Sequence, residues 1–334
     1  MWAVRFHAHG RPAALRLERI AMPVAGAGEV LVRVRACALN GFDPMMLTGS
    51  TGLKVPLPMI PCGDVAGEVV AAADDVRDWK PGDRVSVYPM LPGRGMMGEV
   101  TTGGCCEFIA IPAAALIALP RGVSFEQAAA LPVAYGTALR MMTERGQIRA
   151  GERVLILGAT GGVGVACVQF AKQAGAIVIG CGSGADKLAA LRNLGANEVI
   201  DTSQGSFRKA LYALYGKPSY DGTSDGGVDV VVNYIGGDTW AEGLKCLRRH
   251  GRVLVCGATA GHDPKTDLRY IWSFEQSVIG SNGWTMENQA ELLARVAAGS
   301  LQPVIHATRP IAQAAEAMQE LIDRRVFGKS VLLP

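Results

Sequence analysis

Charge of either sign is scarce in this chain of 334 residues. Asp, Glu, Lys and Arg together make up 19% of it, and the net charge is only +3. A balance that small argues against nucleic acid or an anionic membrane surface as partner. No apolar run is long enough to span a bilayer, and the opening residues, Met1-Trp2-Ala3-Val4-Arg5, lack the apolar stretch of a secretory leader. Both features lead us to expect a cytoplasmic protein. No C-x-x-C pair occurs among the eight cysteines, and the adjacent Cys105 and Cys106 cannot easily bridge each other. Neither a disulfide framework nor a zinc framework is therefore expected, and most of the cysteines read as small buried hydrophobes. Internal repeats and low-complexity tracts are missing as well. What remains is a well-cored globular chain, 49% hydrophobic and long enough for two domains.

The strongest local signal is Val154-Leu155-Ile156-Leu157 running into Gly158-Ala159-Thr160-Gly161-Gly162-Val163-Gly164, with a helical pattern from Val165 to Ala174 directly after it. A strand, a small-residue turn and a helix in that order form a phosphate-binding unit. The backbone approaches a pyrophosphate closely, and the helix N-terminus offers free N–H groups and the positive end of its dipole. The usual spacing is G-x-G-x-x-G; here Ala159 fills the first place, followed by Gly161 and Gly164. Ala159, Thr160, Gly161, Gly162 and Val163 are the expected contacts to a dinucleotide. The plainer alternative is an ordinary tight turn between strand and helix.

The next strand, Ala176 to Gly182, ends about twenty residues past the turn, where an acidic residue would hold the adenosine ribose. Gly182 stands there instead, followed by Ser183, Gly184, Ala185, Asp186 and Lys187. Without the carboxylate, repulsion against a 2′-phosphate is gone, and a hydroxyl and an ammonium are suited to receive one. Gly182, Ser183 and Lys187 therefore point to NADPH rather than NADH. Lys187 equally fits a solvated lysine in a first helical turn.

Along the chain, Val30–Cys37, Asp64–Ala71 and Arg84–Val87 read as strands punctuated by glycine and proline, which suggests a β-rich, partly barrel-like domain over residues 1–123. From Ser124 the texture changes. Helical stretches at 125–131, 137–144, 188–194 and 240–247 alternate with strands at 198–200, 228–232 and 251–255, giving a parallel, doubly wound sheet over residues 124–282. Helical patterns at 288–298 and 312–324 and a closing strand at 330–333 return residues 283–334 to the first domain.

Several stretches, in their order and spacing, resemble the medium-chain dehydrogenase/reductase superfamily, in its zinc-independent quinone oxidoreductase and enoyl reductase branch. They are Ala38-Leu39-Asn40-Gly41-Phe42-Asp43, Pro61-Cys62-Gly63-Asp64-Val65-Ala66-Gly67, Lys80-Pro81-Gly82-Asp83-Arg84-Val85, Ala129-Ala130-Leu131-Pro132, the glycine turn, and Gly328-Lys329-Ser330-Val331. The resemblance covers essentially the whole chain. It implies an α/β Rossmann domain with a GroES-like β-rich domain, a nicotinamide cofactor, a small-molecule substrate and a homodimer. The family's zinc-dependent members hold a catalytic metal through cysteine and histidine. The places that the resemblance matches to those ligands are Asn40, Gly63 and Val133, a poor donor set for zinc, so no metal is expected.

Reducing a quinone or a conjugated C=C remains feasible without a metal, because the substrate carbonyl delocalises the arriving charge. The resemblance places Asn40 beside the nicotinamide, with a turn cap as its plainer role. Asp64 is a candidate to relay a proton, although a structural hydrogen-bonding role weighs more heavily. Tyr135 stands as an alternative proton donor or as plain packing. Asp43 is expected to order its own loop. Thr137, Asn282 and Lys329 match family positions near the nicotinamide. Ile235, Cys256, Gly257 and Ala258 sit in turns that end strands of the sheet, where ligand crevices open. Two other readings stay open: a reductase of enoyl thioesters, and a cofactor-binding protein without catalytic activity.

Overall fold

Short apolar, largely β-branched runs supply the central strands of the parallel sheet. In the computed structural model, which describes residues 1–334, six strands form one sheet: Arg153–Ile156, Ile177–Gly182, Glu198–Asp201, Val228–Val232, Leu247–Val255 and Ser277–Gly280. Every neighbouring pair runs parallel. Numbered along the chain, the six lie in the order 3-2-1-4-5-6. Strand order thus reverses between Arg153–Ile156 and Val228–Val232, and ligands of such sheets bind beyond the carboxyl ends at that reversal. Strands covered on both faces read as continuous apolar runs. Val228 to Val232 are buried throughout, Asp229 included.

The chain divides into two compact units, Met1–Gly136 with Thr285–Pro334, and Thr137–Trp284. Composition changes at Ser124, but the unit changes at 137. The short helix Phe125–Ala129, opened by a Ser124–Gln127 capping box, packs on the strands Glu29–Leu39 and Asp64–Ala72 of the first unit. That unit is built on the long strand Glu29–Leu39, which pairs antiparallel with Asp64–Ala72, Phe108–Pro112 and the closing strand Lys329–Leu333. Arg84–Val87 and Leu116–Ala118 extend the sheet on one side, and Ile305–Pro310 flanks the closing strand on the other. This is the β-rich, partly closed domain read from the sequence, and the parallel sheet is the doubly wound one.

Some elements have weak sequence signals. Ser277–Gly280, the outermost strand of the parallel sheet, is four residues long and mostly exposed, too short for a periodicity to show. The helix Phe207–Tyr215, capped by Ser206, and the strand Ile305–Pro310 also lie outside the expected elements. The stretch from Thr137 is the end of a helix, Pro132–Leu139, that widens into a π-helical segment, Arg140–Arg145. No helix is long and apolar enough to cross a membrane.

Sterics explain the glycines of the turn after Arg153–Ile156. Gly158 has φ +67°, a left-handed conformation that other residues rarely adopt. A Cβ on Gly164 would lie 2.3 Å from the Gly158 carbonyl oxygen, so only glycine lets the helix Gly162–Gln173 pack this closely on the strand. A Cβ on Gly161 meets nothing nearer than 3.6 Å, and its φ of −79° suits any residue. Gly164→Ala is therefore expected to cost about 1–3 kcal/mol through overpacking, whereas Gly161→Ala leaves stability nearly unchanged. Thermal unfolding of the two variants checks this; equal losses would show that crowding at residue 164 is not the constraint.

Candidate active site

In the second unit, the carboxyl ends of the central strands gather most of the residues expected to hold a dinucleotide. Ala159 N–H donates to the Cys181 carbonyl, and Gly161 N–H to that of Gly158. The Tyr234 hydroxyl oxygen accepts from Gly164 N–H, and Gly161 caps the helix Gly162–Gln173 without any side-chain cap of its own. That is the form an anion-binding helix start takes. Across from it, a Cβ on Gly182 would come within 2.7 Å of Thr160 Cγ2. Thr160 and Gly182 are thus fitted to each other, and packing opposes any side chain at 182, a carboxylate included. Ser183 is exposed and Lys187 half-buried, and partial burial holds the Lys187 ammonium below its ordinary pKa.

The turns after Val228–Val232 and Leu247–Val255 pack on one another. Ala260 N–H donates to Ile235 O and Thr259 N–H to Tyr234 O. Any Cβ on Gly236 would strike Ala258 and the Gly261 carbonyl. Asn233 orders its turn by accepting from Ile235 N–H, Gly236 N–H and the Thr239 hydroxyl. Ile235, Cys256, Gly257 and Ala258 consequently share one rim. Burial pushes the Cys256 thiol up to about 12, so it stays protonated. Thr137 is buried in the same unit; Asn282 is exposed, its carbonyl accepting from Arg140.

The turn Asn233-Tyr234-Ile235-Gly236-Gly237 was expected to touch a cofactor, but the contact of Tyr234 with the glycine turn was not foreseen. Its hydroxyl donates to the Gly158 carbonyl at 2.6 Å, and burial drives its pKa well above the ordinary range. A phenol pinned on the glycine turn fixes the carbonyl that the turn must hold clear. The only available signal was a tyrosine at the end of the strand next to the turn.

The first unit holds a buried polar network at the carboxyl end of Glu29–Leu39. Lys329, 2% exposed, donates its three N–H groups to Leu39 O at 2.8 Å, Asn40 Oδ1 at 2.5 Å and Asp64 Oδ2 at 2.9 Å. An ammonium can only donate, so it turns the Asn40 oxygen toward itself and the amide nitrogen away. Asn40 Nδ2 donates to Asp64 Oδ2 at 2.9 Å, and Val133 N–H donates to Asp64 Oδ1 at 3.0 Å. Asp64 thus joins Asn40, Val133 and Lys329. One N–H of the Asn40 amide is left uncommitted.

Asp43 braces the loop below. It accepts from Asn40 N–H at 2.6 Å and from Cys62 N–H at 3.0 Å. Burial pushes its carboxyl up to about 7, against the pull of those two N–H donors and of Lys329. Tyr135 is fully buried, and its hydroxyl accepts from Val304 N–H at 2.8 Å.

A metal fits this network poorly. Gly63 offers no donor, and a side chain there would run into the Met97 carbonyl, 2.6 Å from an added Cβ. Val133 brings only its backbone, and the oxygens of Asn40 and Asp64 already receive the Lys329 ammonium. Zinc prefers nitrogen and sulfur donors, and the positive charge it would supply is already present as Lys329.

Two family models match the chain: the alcohol dehydrogenase GroES-like domain over residues 26–121 and the zinc-binding dehydrogenase over residues 162–298. The quinone oxidoreductase of Mus musculus is 33% identical over the whole chain and 98% of its own length. The human synaptic vesicle membrane protein VAT-1 homolog is 30% identical over 94% of the chain and 81% of its own length. Among solved structures, one described as an NAD-dependent alcohol dehydrogenase superposes with TM-score 0.90 at 32% identity, with both chains fully covered. The 2-octenoyl-CoA carboxylase reductase CinF, in complex with NADP and 2-octenoyl-CoA, superposes with TM-score 0.85 at 28% identity, over 99% of this chain and 87% of CinF. The chain belongs to the medium-chain dehydrogenase/reductase superfamily, in its quinone oxidoreductase branch. It is accordingly an oxidoreductase of a nicotinamide-dependent family.

The Asp43 carboxyl generates a pH prediction. Its native pKa of about 7 lies above the ordinary 3.8, so between those values the folded state binds more protons than the unfolded one. Stability contributed by this group is complete below about pH 4 and is lost as pH rises through about 7. Asp43→Asn cannot titrate. The stability gap between the native chain and this variant should be widest below about pH 4 and shrink steadily from there toward about pH 8. Chemical denaturation across that range measures it, and a gap that widens with pH contradicts the assignment.

Proposed function

We propose that this protein transfers a hydride from NADPH to a quinone or to the activated C=C of an α,β-unsaturated carbonyl, without zinc. The observation that carries this reading is Lys329 between Asn40 and Asp64. A fixed ammonium holds the positions that a metal would need, so the chemistry open to the site is one that tolerates having no Lewis acid. Quinones and enones qualify, because their own conjugation spreads the incoming negative charge.

In this reading the family's cofactor binds on the glycine turn, with Ala159 to Val163 against the pyrophosphate and Thr137, Ile235, Cys256, Gly257, Ala258 and Asn282 contributing contacts. The cofactor supplies the hydride. Gly182, Ser183 and Lys187 favour the 2′-phosphate, since no carboxylate stands there to repel it. The uncommitted N–H of Asn40 donates to the substrate oxygen as charge develops on it, and Lys329 and Asp64 hold that amide in place. Their part is positional, because the Lys329 protons are all spent on protein oxygens. The buried Tyr135 hydroxyl faces Val304, so solvent is the proposed source of the final proton.

A second reading, reduction of an enoyl thioester, draws on the likeness to CinF. Inhibition of turnover by free coenzyme A would favour it over quinone reduction. The exposed edge of Ser277–Gly280, with Val278 51% exposed, supports a homodimer built by edge-strand pairing. A sedimentation mass of one chain would overturn that.

With quinones and enones as substrates, NADPH should be oxidised faster than NADH, and a chelator should leave the rate unchanged. Asn40→Ala should lower kcat by about 10²–10³-fold with little change in cofactor affinity, as loss of one oxyanion donor does. Stopped absorbance assays and cofactor titrations measure both. Loss of activity on chelation, restored by zinc, would overturn the metal-free reading.

A further inference from the structure

Three cysteines that lie far apart in the sequence meet in the core of the first unit. Cys37 is on the strand Glu29–Leu39, Cys62 immediately precedes Gly63 and Asp64, and Cys105 lies in the loop before Phe108–Pro112. Their Sγ atoms all lie within 4.8 Å of one another, and all three residues are fully buried. Glycines make the convergence possible. A Cβ on Gly103 would strike the carbonyls of Pro61 and Cys62, and one on Gly104 would strike Val65. The two loops are laced by Gly103 N–H to Ile60 O, Gly104 N–H to Cys62 O and Cys105 N–H to Pro61 O. Cys62 itself sits at φ +73°, a conformation uncommon for a non-glycine residue. Packing of three small hydrophobes alone does not call for that arrangement.

Charge selects what such a site can take. The neighbouring ionisable groups are Cys106, whose thiol donates to Phe108 O, and the Asp43 carboxyl near Cys62. Hydrogen bonds among the three thiols, together with burial, hold them protonated, well above the ordinary thiol range. Three thiolates around a divalent ion leave a net negative charge, and around a monovalent ion a larger one. Burying either without a partner is costly. A trivalent centre leaves no charge at all.

We propose that Cys37, Cys62 and Cys105 form a tris-thiol site that captures a trivalent thiophilic metalloid hydroxide, with arsenous acid as the type. Three As–O and three S–H bonds break and three As–S bonds form. Each thiol proton leaves with a hydroxide as water, and arsenic stays trivalent throughout. Neutral reactants give a neutral product, as the apolar setting requires. A pyramidal trivalent centre bound at about 2.3 Å per sulfur, with bond angles a little over 90°, holds its sulfurs about 3.4 Å apart, so side-chain rotations must draw the three together from within 4.8 Å. Capture would tie the Cys62–Asp64 segment to two other strands or loops.

The test uses the full chain, reduced with a phosphine and incubated separately with sodium arsenite and with zinc chloride, then desalted. Arsenite should leave one arsenic per chain with three sulfur neighbours by X-ray absorption, and should raise the unfolding midpoint. Retention by Cys105→Ala should fall about 10–100-fold or more, no less than loss of even an outer-shell partner costs a bound ion. Cys246→Ala, in the second unit, should retain arsenic as the native chain does. Arsenic that washes away, fewer than three sulfur neighbours, undiminished retention by Cys105→Ala, or retention of zinc in its place would each overturn the proposal. If Cys105→Ala does not fold, the sulfur count on the native chain decides alone.

Discussion

Burying an ammonium and a carboxylate costs several kcal/mol for each ion, and their attraction repays it only when every remaining proton and lone pair is also met. Lys329 and Asp64 meet that condition. The ammonium reaches three oxygens, and the carboxylate receives Asn40, Val133 and Lys329. Because Lys329 is five residues from the end of the chain and Asn40 and Asp64 lie near its start, the pair also fixes how the closing strand Lys329–Leu333 joins the long strand Glu29–Leu39. Shape, charge and the aim of the Asn40 amide in the first unit all depend on it. Removing either partner would leave an unpaired buried charge, a loss of about 3–5 kcal/mol.

The second unit depends on a steric constraint instead. Its strand order creates a crevice, and glycine decides how closely backbone and helix approach there. Gly164 lets the helix seat on the turn, Gly182 yields its side-chain space to Thr160, and Tyr234 pins the Gly158 carbonyl. Absence of a side chain at residue 182 is thus a packing requirement.

Most of the fold was legible because it rests on local pattern. Apolar runs and glycine stops marked the central strands, and the change of texture at Ser124 marked the helical stretch that follows it, whose Ser124–Gln127 capping box only the structure shows. Ser277–Gly280 was not legible, since a four-residue exposed strand is held by its neighbour and not by its own periodicity. Asn40, Asp64 and Lys329 could be singled out by their likeness to a family pattern, but their partners could not. Lys329 was expected among the cofactor contacts and lies buried with its protons spent on Leu39, Asn40 and Asp64. Tyr135, weighed as a proton donor or as packing with its hydroxyl at the surface, is fully buried with that hydroxyl against Val304.

By itself the sequence determined the fold class, the family and the glycine turn between strand and helix, since each is written in residues close together along the chain. Tertiary structure decided which side chains face each other across long separations. It placed the Lys329 ammonium between Asn40 and Asp64. It also gathered Cys37, Cys62 and Cys105, whose spacing shows no motif, into one buried cluster. Such convergence depends on strand register and on close approach at Gly63, Gly103 and Gly104, and neither leaves a periodic trace in the sequence.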